Sequence, residues 1–364
     1  MTALAARPDQ NMRSRTPSTG EPPIMSLVPP HLVHRSDESD VLLTHFGQSD
    51  ADTYQFAVQW PTTHALFSSV LGRANPMLIA ETVRQAGTVL AHMVYEAPMD
   101  DQFLLWNLRY ESLPGLHGTA GTPTPTEAVI RNPEVTLRGR RLATIRIEMD
   151  LFAGPLRIGQ GEASANCLSA AAYRRLRPGV VDLADVPRTP IPPFRVGKES
   201  ERDVMLSPSE TVPAVAAEPA GPAVSTEPAG PAEPDGPTGP TGPAVPVGTP
   251  RTASWQLRAD RNHPVIFDSQ SDHLPGRGII EAMRQAAQLA SGLEHALVPS
   301  MNAEFRRYVE LDRPCTVSAE ILGGRRDGRI PIEVTMRQDN EVAALAVLYL
   351  EDATTARHDL PVGP

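Results

Sequence analysis

The chain carries one helical motif twice, 200 positions apart. Glu81-Thr82-Val83-Arg84-Gln85-Ala86 and Glu281-Ala282-Met283-Arg284-Gln285-Ala286 share the frame Glu-x-x-Arg-Gln-Ala. A phenylalanine stands fourteen residues before each glutamate, at Phe67 and Phe267, and a histidine precedes each, at His64 and His263. Four landmarks in one order imply an internal duplication. Two copies are too few for a solenoid, so a pseudo-symmetric pair is expected.

Each motif reads as part of a long helix. Val83, Ala86, Gly87, Leu90 and Val94 recur at helical spacing, as do Ile280, Met283, Ala287 and Ala290. Asn75-Pro76 and Pro275-Gly276 break the chain ahead of these helices, and Ser291-Gly292 ends the second. Strand patterns follow. In the first copy they cover Phe103–Tyr110, Val129–Val135 and Ala143–Leu151. In the second they cover Ala303–Val309, Cys315–Ile321, Ile332–Arg337 and Val342–Leu350. The expected class is α+β, each copy an antiparallel sheet wrapped around one central helix so that both bury their apolar faces.

Composition supplies the boundaries. Prolines and glycines number 38 and 26 of 364 residues, and twelve of the prolines fall between Ser207 and Pro250. That stretch repeats Glu-Pro-Ala-Gly-Pro-Ala at Glu218 and Glu227 and reads as a semi-rigid spacer. The expected organisation is a disordered tail over 1–24, a first domain over 25–206, a linker over 207–250 and a second domain over 251–364. The net charge is −10 with no basic block, which points away from nucleic acid and anionic membranes. Cys167 and Cys315 form no CxxC, no apolar run approaches 18 residues, and the start lacks a signal-peptide core. A cytoplasmic protein is the expectation.

Glu, Arg and Gln at i, i+3 and i+4 share one face of each helix. A Glu–Arg pair at this spacing is commonly a solvated surface pair worth a few tenths of a kcal/mol. Here the helix around it is apolar, as in a buried element. Other chemistries lack their signatures: no HExxH metal motif, no GxSxG elbow, no GxGxxG and no P-loop. His64, His263 and the pair Asp272-His273 are further candidates.

These pieces resemble a known family. Leu32-Val33-His34-Arg35 with Val41-Leu42-Leu43-Thr44, Trp60-Pro61-x-x-His64, and Leu78 through Gly87 match in the first copy. His263-Pro264, Phe267-Asp268, Asp272-His273-Leu274-Pro275-Gly276 and Glu281 through Ala287 match in the second. Together they resemble the AfsA-like family of A-factor (γ-butyrolactone) biosynthesis proteins, which have two tandem hotdog domains. The resemblance implies a double hotdog and an acyltransferase. Such an enzyme moves a β-ketoacyl group from an acyl-carrier-protein or coenzyme A thioester to dihydroxyacetone phosphate, giving a butenolide phosphate, with no metal or redox cofactor. It further implies that Glu81, Glu281 and Arg284 are functional.

On that basis Glu281, then Glu81, is expected as general base, its pKa raised by desolvation. Arg284 is expected to hold the phosphate, with Arg84, Gln85, Gln285, His64 and His263 binding substrate. The alternatives are another hotdog thioester enzyme, a thioesterase or dehydratase, and a non-catalytic acyl-ligand-binding module. Whether the chain forms a homo-oligomer is open from sequence.

Overall fold

A computed structural model describes residues 25–61, 63–64, 66–113, 116, 126–177, 188–209, 252–268 and 271–355. The expected tail over 1–24 and all but the first residues of the expected linker lie outside them.

The first half contains β1 (Ser26–Leu27), β2 (Leu43–Asp50), β3 (Thr53–Val58), α1 (Leu78–Met93), β4 (Gln102–Ser112), β5 (Thr126–Arg131), β6 (Glu134–Arg138), β7 (Arg141–Ala153), β8 (Leu156–Leu168) and α2 (Ala170–Leu176). The second contains β9 (Leu206–Pro208), β10 (Thr252–Leu257), α3 (Gly276–Ser291), β11 (Ala296–Phe305), β12 (Thr316–Ile321), β13 (Ile330–Gln338) and β14 (Glu341–Asp352). They form one antiparallel sheet in the order β1-β2-β3-β5-β7-β8-β4-β11-β14-β13-β12-β10-β9, with β6 paired to β7. Outward from the central β4–β11 pair, β8, β7, β5, β3 and β2 correspond to β14, β13, β12, β10 and β9. This is the pseudo-twofold of the duplication. The halves join through main-chain pairing such as Met301 with Tyr110, and the Tyr110 hydroxyl donates to Val298 O at 2.8 Å.

The sheet curls round α1 and α3 to give the double hotdog. Both helices bury residues on every side, polar ones included. Burial of the apolar majority drives this, at roughly 25 cal/mol per Å² of apolar surface. Small residues on β8 let α1 approach: a Cβ on Gly161 would sit 2.3 Å from Val83 Cγ2, and one on Gly159 2.8 Å from Ile79 Cδ1.

Two expectations need correction. Val129–Val135 is not one strand, because Asn132 turns to φ +49° between β5 and β6. The domain boundary near 206 is also displaced. Residues 193–208 pack on α3 of the second half, and β9 is hydrogen-bonded to β10, with Leu206 opposite Leu257. In the first half β2 and β3 are joined by residues 51–52 alone. At the equivalent place the second half spends residues 209–251. The proline-rich stretch is thus an insertion in a hairpin of the second half, with its two ends side by side, and not a tether between halves. A hairpin tolerates this because loop-closure entropy grows only slowly with length.

Candidate active site

Both motifs are buried clamps. Gln85 Oε1 accepts the amide of Leu42 at 2.9 Å, and its Nε2 donates to Asp40 O at 2.7 Å and to Glu81 Oε1 at 2.8 Å. Gln285 does the same with Met205 at 2.8 Å, Asp203 at 2.7 Å and Glu281 at 2.8 Å. Each thereby straps the segment before β2 or β9 onto its helix. Arg84 and Arg284 donate to the same straps, at Val33 O and Val196 O. The histidines complete the pattern. His64 Nδ1 accepts the amides of Leu66 and Phe67, leaving Nε2 to donate to Asp40 at 3.2 Å. His263 Nδ1 accepts those of Val265 and Ile266, with Nε2 3.1 Å from Asp203. Gln85, Gln285, His64 and His263 therefore spend their polar atoms inside the fold.

The glutamates are buried as expected, but their charge is compensated. Around Glu281 burial works to raise the pKa, yet the Arg284 and Lys198 cations outweigh it and hold the carboxyl down at about 2. Glu81 is likewise held well below the usual range, burial being outweighed by Arg35 and Arg84. The expectation of a raised pKa omitted these partners. A carboxylate this acidic is a weak proton acceptor at neutral pH.

The duplicated clamps differ at one point. Arg284 spends four of its five donors: Nε and Nη2 on Glu281 at 2.9 and 2.8 Å, Nη2 on Val196 O and Nη1 on Gln288 Oε1, both at 2.7 Å. In the first half the position of Gln288 is taken by Thr88, whose hydroxyl turns back to Arg84 O at 3.0 Å. Arg84 Nη1 consequently has no hydrogen-bond partner among the described residues. Its side chain is 24% exposed, against 8% for Arg284.

Arg84 opens onto a cavity of about 230 Å³ between the halves. One wall is apolar, with Val83, Gly87, Phe103, Leu105, Ile147 and Ala163. The other carries His34, His273 and the start of α3 at Gly276 and Arg277. Arg277 is bonded to Asp268 at 2.8 Å, and Arg35 bridges Glu81 and, at 3.6 Å, Asp268. The cluster thus sets three guanidinium groups against two carboxylates. Arg277 bears the imbalance: burial first, then repulsion from Arg35 and Arg84, brings its pKa down to about 9. Its Nη1 is buried with no hydrogen-bond partner among the described residues. The amides of Gly278 and Ile279 fold back onto Pro275 O, whereas those of Gly276 and Arg277 have no acceptor among the described residues.

His34 closes the turn ahead of the first strap at φ +54°, where its counterpart Gly197 has φ +65°. A left-handed non-glycine residue is strained by about 1 kcal/mol or more, and such strain collects at functional sites. His92 Nδ1 lies 2.8 Å from Ala97 O and so carries the proton; its Nε2 then accepts from His34 Nε2 at 2.9 Å. Burial, His92, Arg84, Arg35 and Arg277 together lower the His34 pKa to about 4. A second cavity of about 550 Å³ adjoins the first and shares Phe103, Leu104, Leu105, His273 and Gly276 with it. A larger hollow of about 630 Å³ lies elsewhere in the first half. Its charges neutralise one another, Arg146 with Glu134, Glu148 and Glu162, so it offers no comparable binding chemistry.

Residues 17–169 and 243–350 match the A-factor biosynthesis hotdog domain, AfsA. The chain belongs to this family. A Streptomyces virginiae protein described as 2-oxo-3-(phosphooxy)propyl 3-oxoalkanoate synthase is 34% identical over 318 residues, covering 86% of this chain and 94% of that protein. Proteins of the same description from Streptomyces coelicolor and Streptomyces griseus are 29% and 28% identical, over 88% and 87% of this chain and 90% and 93% of theirs. Among solved structures, a 12:0-ACP thioesterase from Umbellularia californica covers 82% of this chain and 94% of its own at 9% identity and a TM-score of 0.44, too loose a superposition to speak to chemistry.

Within this AfsA-family chain the candidates named from sequence divide by cleft. Arg84 lines the open cavity with Glu81 buried behind it; Glu281 and Arg284 are sealed in the second half. Sequence reasoning missed Arg35, Asp268 and Arg277. It also missed that Val196…Asp203-Val204-Met205-Leu206 repeats Val33…Asp40-Val41-Leu42-Leu43 at equal spacing. That echo marks the start of the second unit, ahead of the proline-rich stretch.

Proposed function

We propose that the protein transfers a β-ketoacyl group from an acyl-carrier-protein or coenzyme A thioester to the hydroxyl of dihydroxyacetone phosphate. The ester then closes, with loss of water, to a butenolide phosphate on the way to a γ-butyrolactone-type signal. The observation that carries this reading is the cationic cluster of Arg35, Arg84 and Arg277, three guanidinium groups against the two carboxylates of Glu81 and Asp268, beside an apolar wall. It suits a ligand with a phosphate at one end and an alkyl chain at the other. The names of the Streptomyces relatives describe an ester of that kind.

In this reading Arg84 Nη1 and Arg277 Nη1 take the phosphate by charge-assisted hydrogen bonds, each worth roughly 1.5–3 kcal/mol. The Gly276 and Arg277 amides face the thioester oxygen as it gains charge. The alkyl chain lies along Val83, Gly87 and Ile147. Glu81 and Glu281 keep the arginines and straps in place and take no proton.

The purified protein is given a 3-oxoacyl thioester with and without dihydroxyacetone phosphate, and products are followed by mass spectrometry. Ester and free thiol should form only with the acceptor. Thiol release without it would make the protein a thioesterase; binding without turnover would make it a ligand-binding module. Arg84→Lys should raise the acceptor KM about tenfold, corresponding to about 1.4 kcal/mol, with kcat little changed. Arg284→Lys, in the sealed half, should leave that KM unaltered.

A further inference from the structure

One cluster beside the cavity is left without a task by that reading. It is built around Asp272 and His273, immediately ahead of α3. The backbone there is rigid: His273 bridges to Glu310, Leu274 N donates to Val309 O at 2.9 Å, and Ser271 Oγ donates to His273 O at 2.7 Å. His273 Nδ1 lies 2.6 Å from Asp272 Oδ1, which also accepts the Tyr173 hydroxyl at 2.7 Å. With a carboxylate opposite it, Nδ1 carries the proton and Nε2 keeps the lone pair. Arg177 Nε holds the other carboxylate oxygen at 3.0 Å and its Nη groups hold Glu310. The same guanidinium stacks 4.3 Å from the centre of the Tyr308 ring, which meets the imidazole edge-on at 4.7 Å.

The imidazole is therefore fixed in tautomer and orientation, while Nε2 has no hydrogen-bond partner among the described residues. A purely structural histidine, such as His64 or His263, uses both nitrogens. His273 is also the polar side chain common to the two adjoining cavities, next to the Gly276 amide. Asp272 remains ionised: burial raises its pKa, but the bonds from His273, Tyr173 and Arg177 outweigh this and hold it well below the usual range. Tyr173 and Arg177 come from the end of the first half, so the assembly exists only where the halves meet. Ahead of α1 the positions equivalent to Asp272 and His273 are Gly72 and Arg73, with no histidine.

We propose that His273 is the catalytic proton carrier of the acyl transfer, and that Asp272, braced by Tyr173 and Arg177, is its positioning residue. The inference rests on the acyltransferase reading above. Nε2 takes the hydroxyl proton of the triose phosphate as that oxygen bonds to the thioester carbonyl carbon. The carbonyl electron pair moves onto its oxygen. As the pair returns, the C–S bond breaks and Nε2 delivers the proton to the departing sulfur. Ester, thiol and neutral imidazole result. The larger cavity then takes the thioester arm and the smaller one the acceptor, meeting at His273.

The test compares acceptor-dependent thiol release in the full-length protein and its variants. His273→Ala should lower kcat about a thousandfold, within the range for general acid–base catalysis, and change the acceptor KM less than about threefold. Added imidazole should restore part of the lost rate. Asp272→Asn should lose about a hundredfold and gain nothing from imidazole. If the alanine variant does not fold, His273→Gln keeps a donor toward Asp272 and should show the same loss. A folded variant at position 273 with a wild-type kcat overturns the assignment and leaves the function standing. A wild-type protein without acceptor-dependent release would sink the functional reading itself.

Discussion

Replacing Arg277 with methionine should nearly abolish acyl transfer without destabilising the protein. Arg277 is buried, lies beside two other guanidinium groups, and has one nitrogen without a hydrogen-bond partner among the described residues. In the unliganded protein it is a liability. Removing it relieves repulsion from Arg35 and Arg84, while Asp268 keeps Arg35 within 3.6 Å. The lowered pKa of Arg277 shows that its surroundings, Asp268 included, disfavour the charge on balance, so an apolar side chain of similar length should cost little stability. With a phosphate bound, the same charge is what the site requires. Losing a buried, charge-assisted contact costs about 2–5 kcal/mol, so kcat/KM for the acceptor should fall at least about thirtyfold. Thermal unfolding and steady-state kinetics on one preparation check both halves of the prediction. A large fall in melting temperature, or an unchanged kcat/KM, would contradict it.

Glu281→Gln should behave in the opposite way, failing through stability. The substitution removes the buried negative charge that Arg284 and Lys198 share. Breaking a buried ion pair from one side costs about 3–5 kcal/mol, readable by denaturant titration. In the wild type the paired carboxyl sits at about 2, against an ordinary 4.5. A depressed folded-state pKa gives stability that is complete above the unfolded value and is lost as pH falls from about 4.5 toward 2. The variant should therefore lack this part of the acid dependence. A Glu281→Gln protein of wild-type stability that cannot turn over would return the glutamate to the role of base.

The duplication was legible because it is written in local order: Glu-x-x-Arg-Gln-Ala recurs at helical spacing inside two apolar helices. Burial of Glu81 and Glu281 followed from the same pattern. The proline-rich stretch misled, since composition marks a change in character and cannot say whether the flanking segments part or pair. They pair, as β9 and β10. The strap of the second half is written as Val196…Asp203 against Val33…Asp40, but the low-complexity stretch separates it from the helix that it serves.

The chain's order of residues determined by itself that there are two copies, each with one sheet-wrapped helix bearing a buried polar triplet, because those properties arise from neighbours within a few turns or strands. Only the folded molecule decided which cleft is open and how its charges balance. Thr88 facing Arg84 leaves donors free where Gln288 consumes them. Arg35, Asp268 and Arg277 meet Glu81 from far along the chain. Electrostatic energy depends on distance in space, and periodicity along a sequence carries no measure of that.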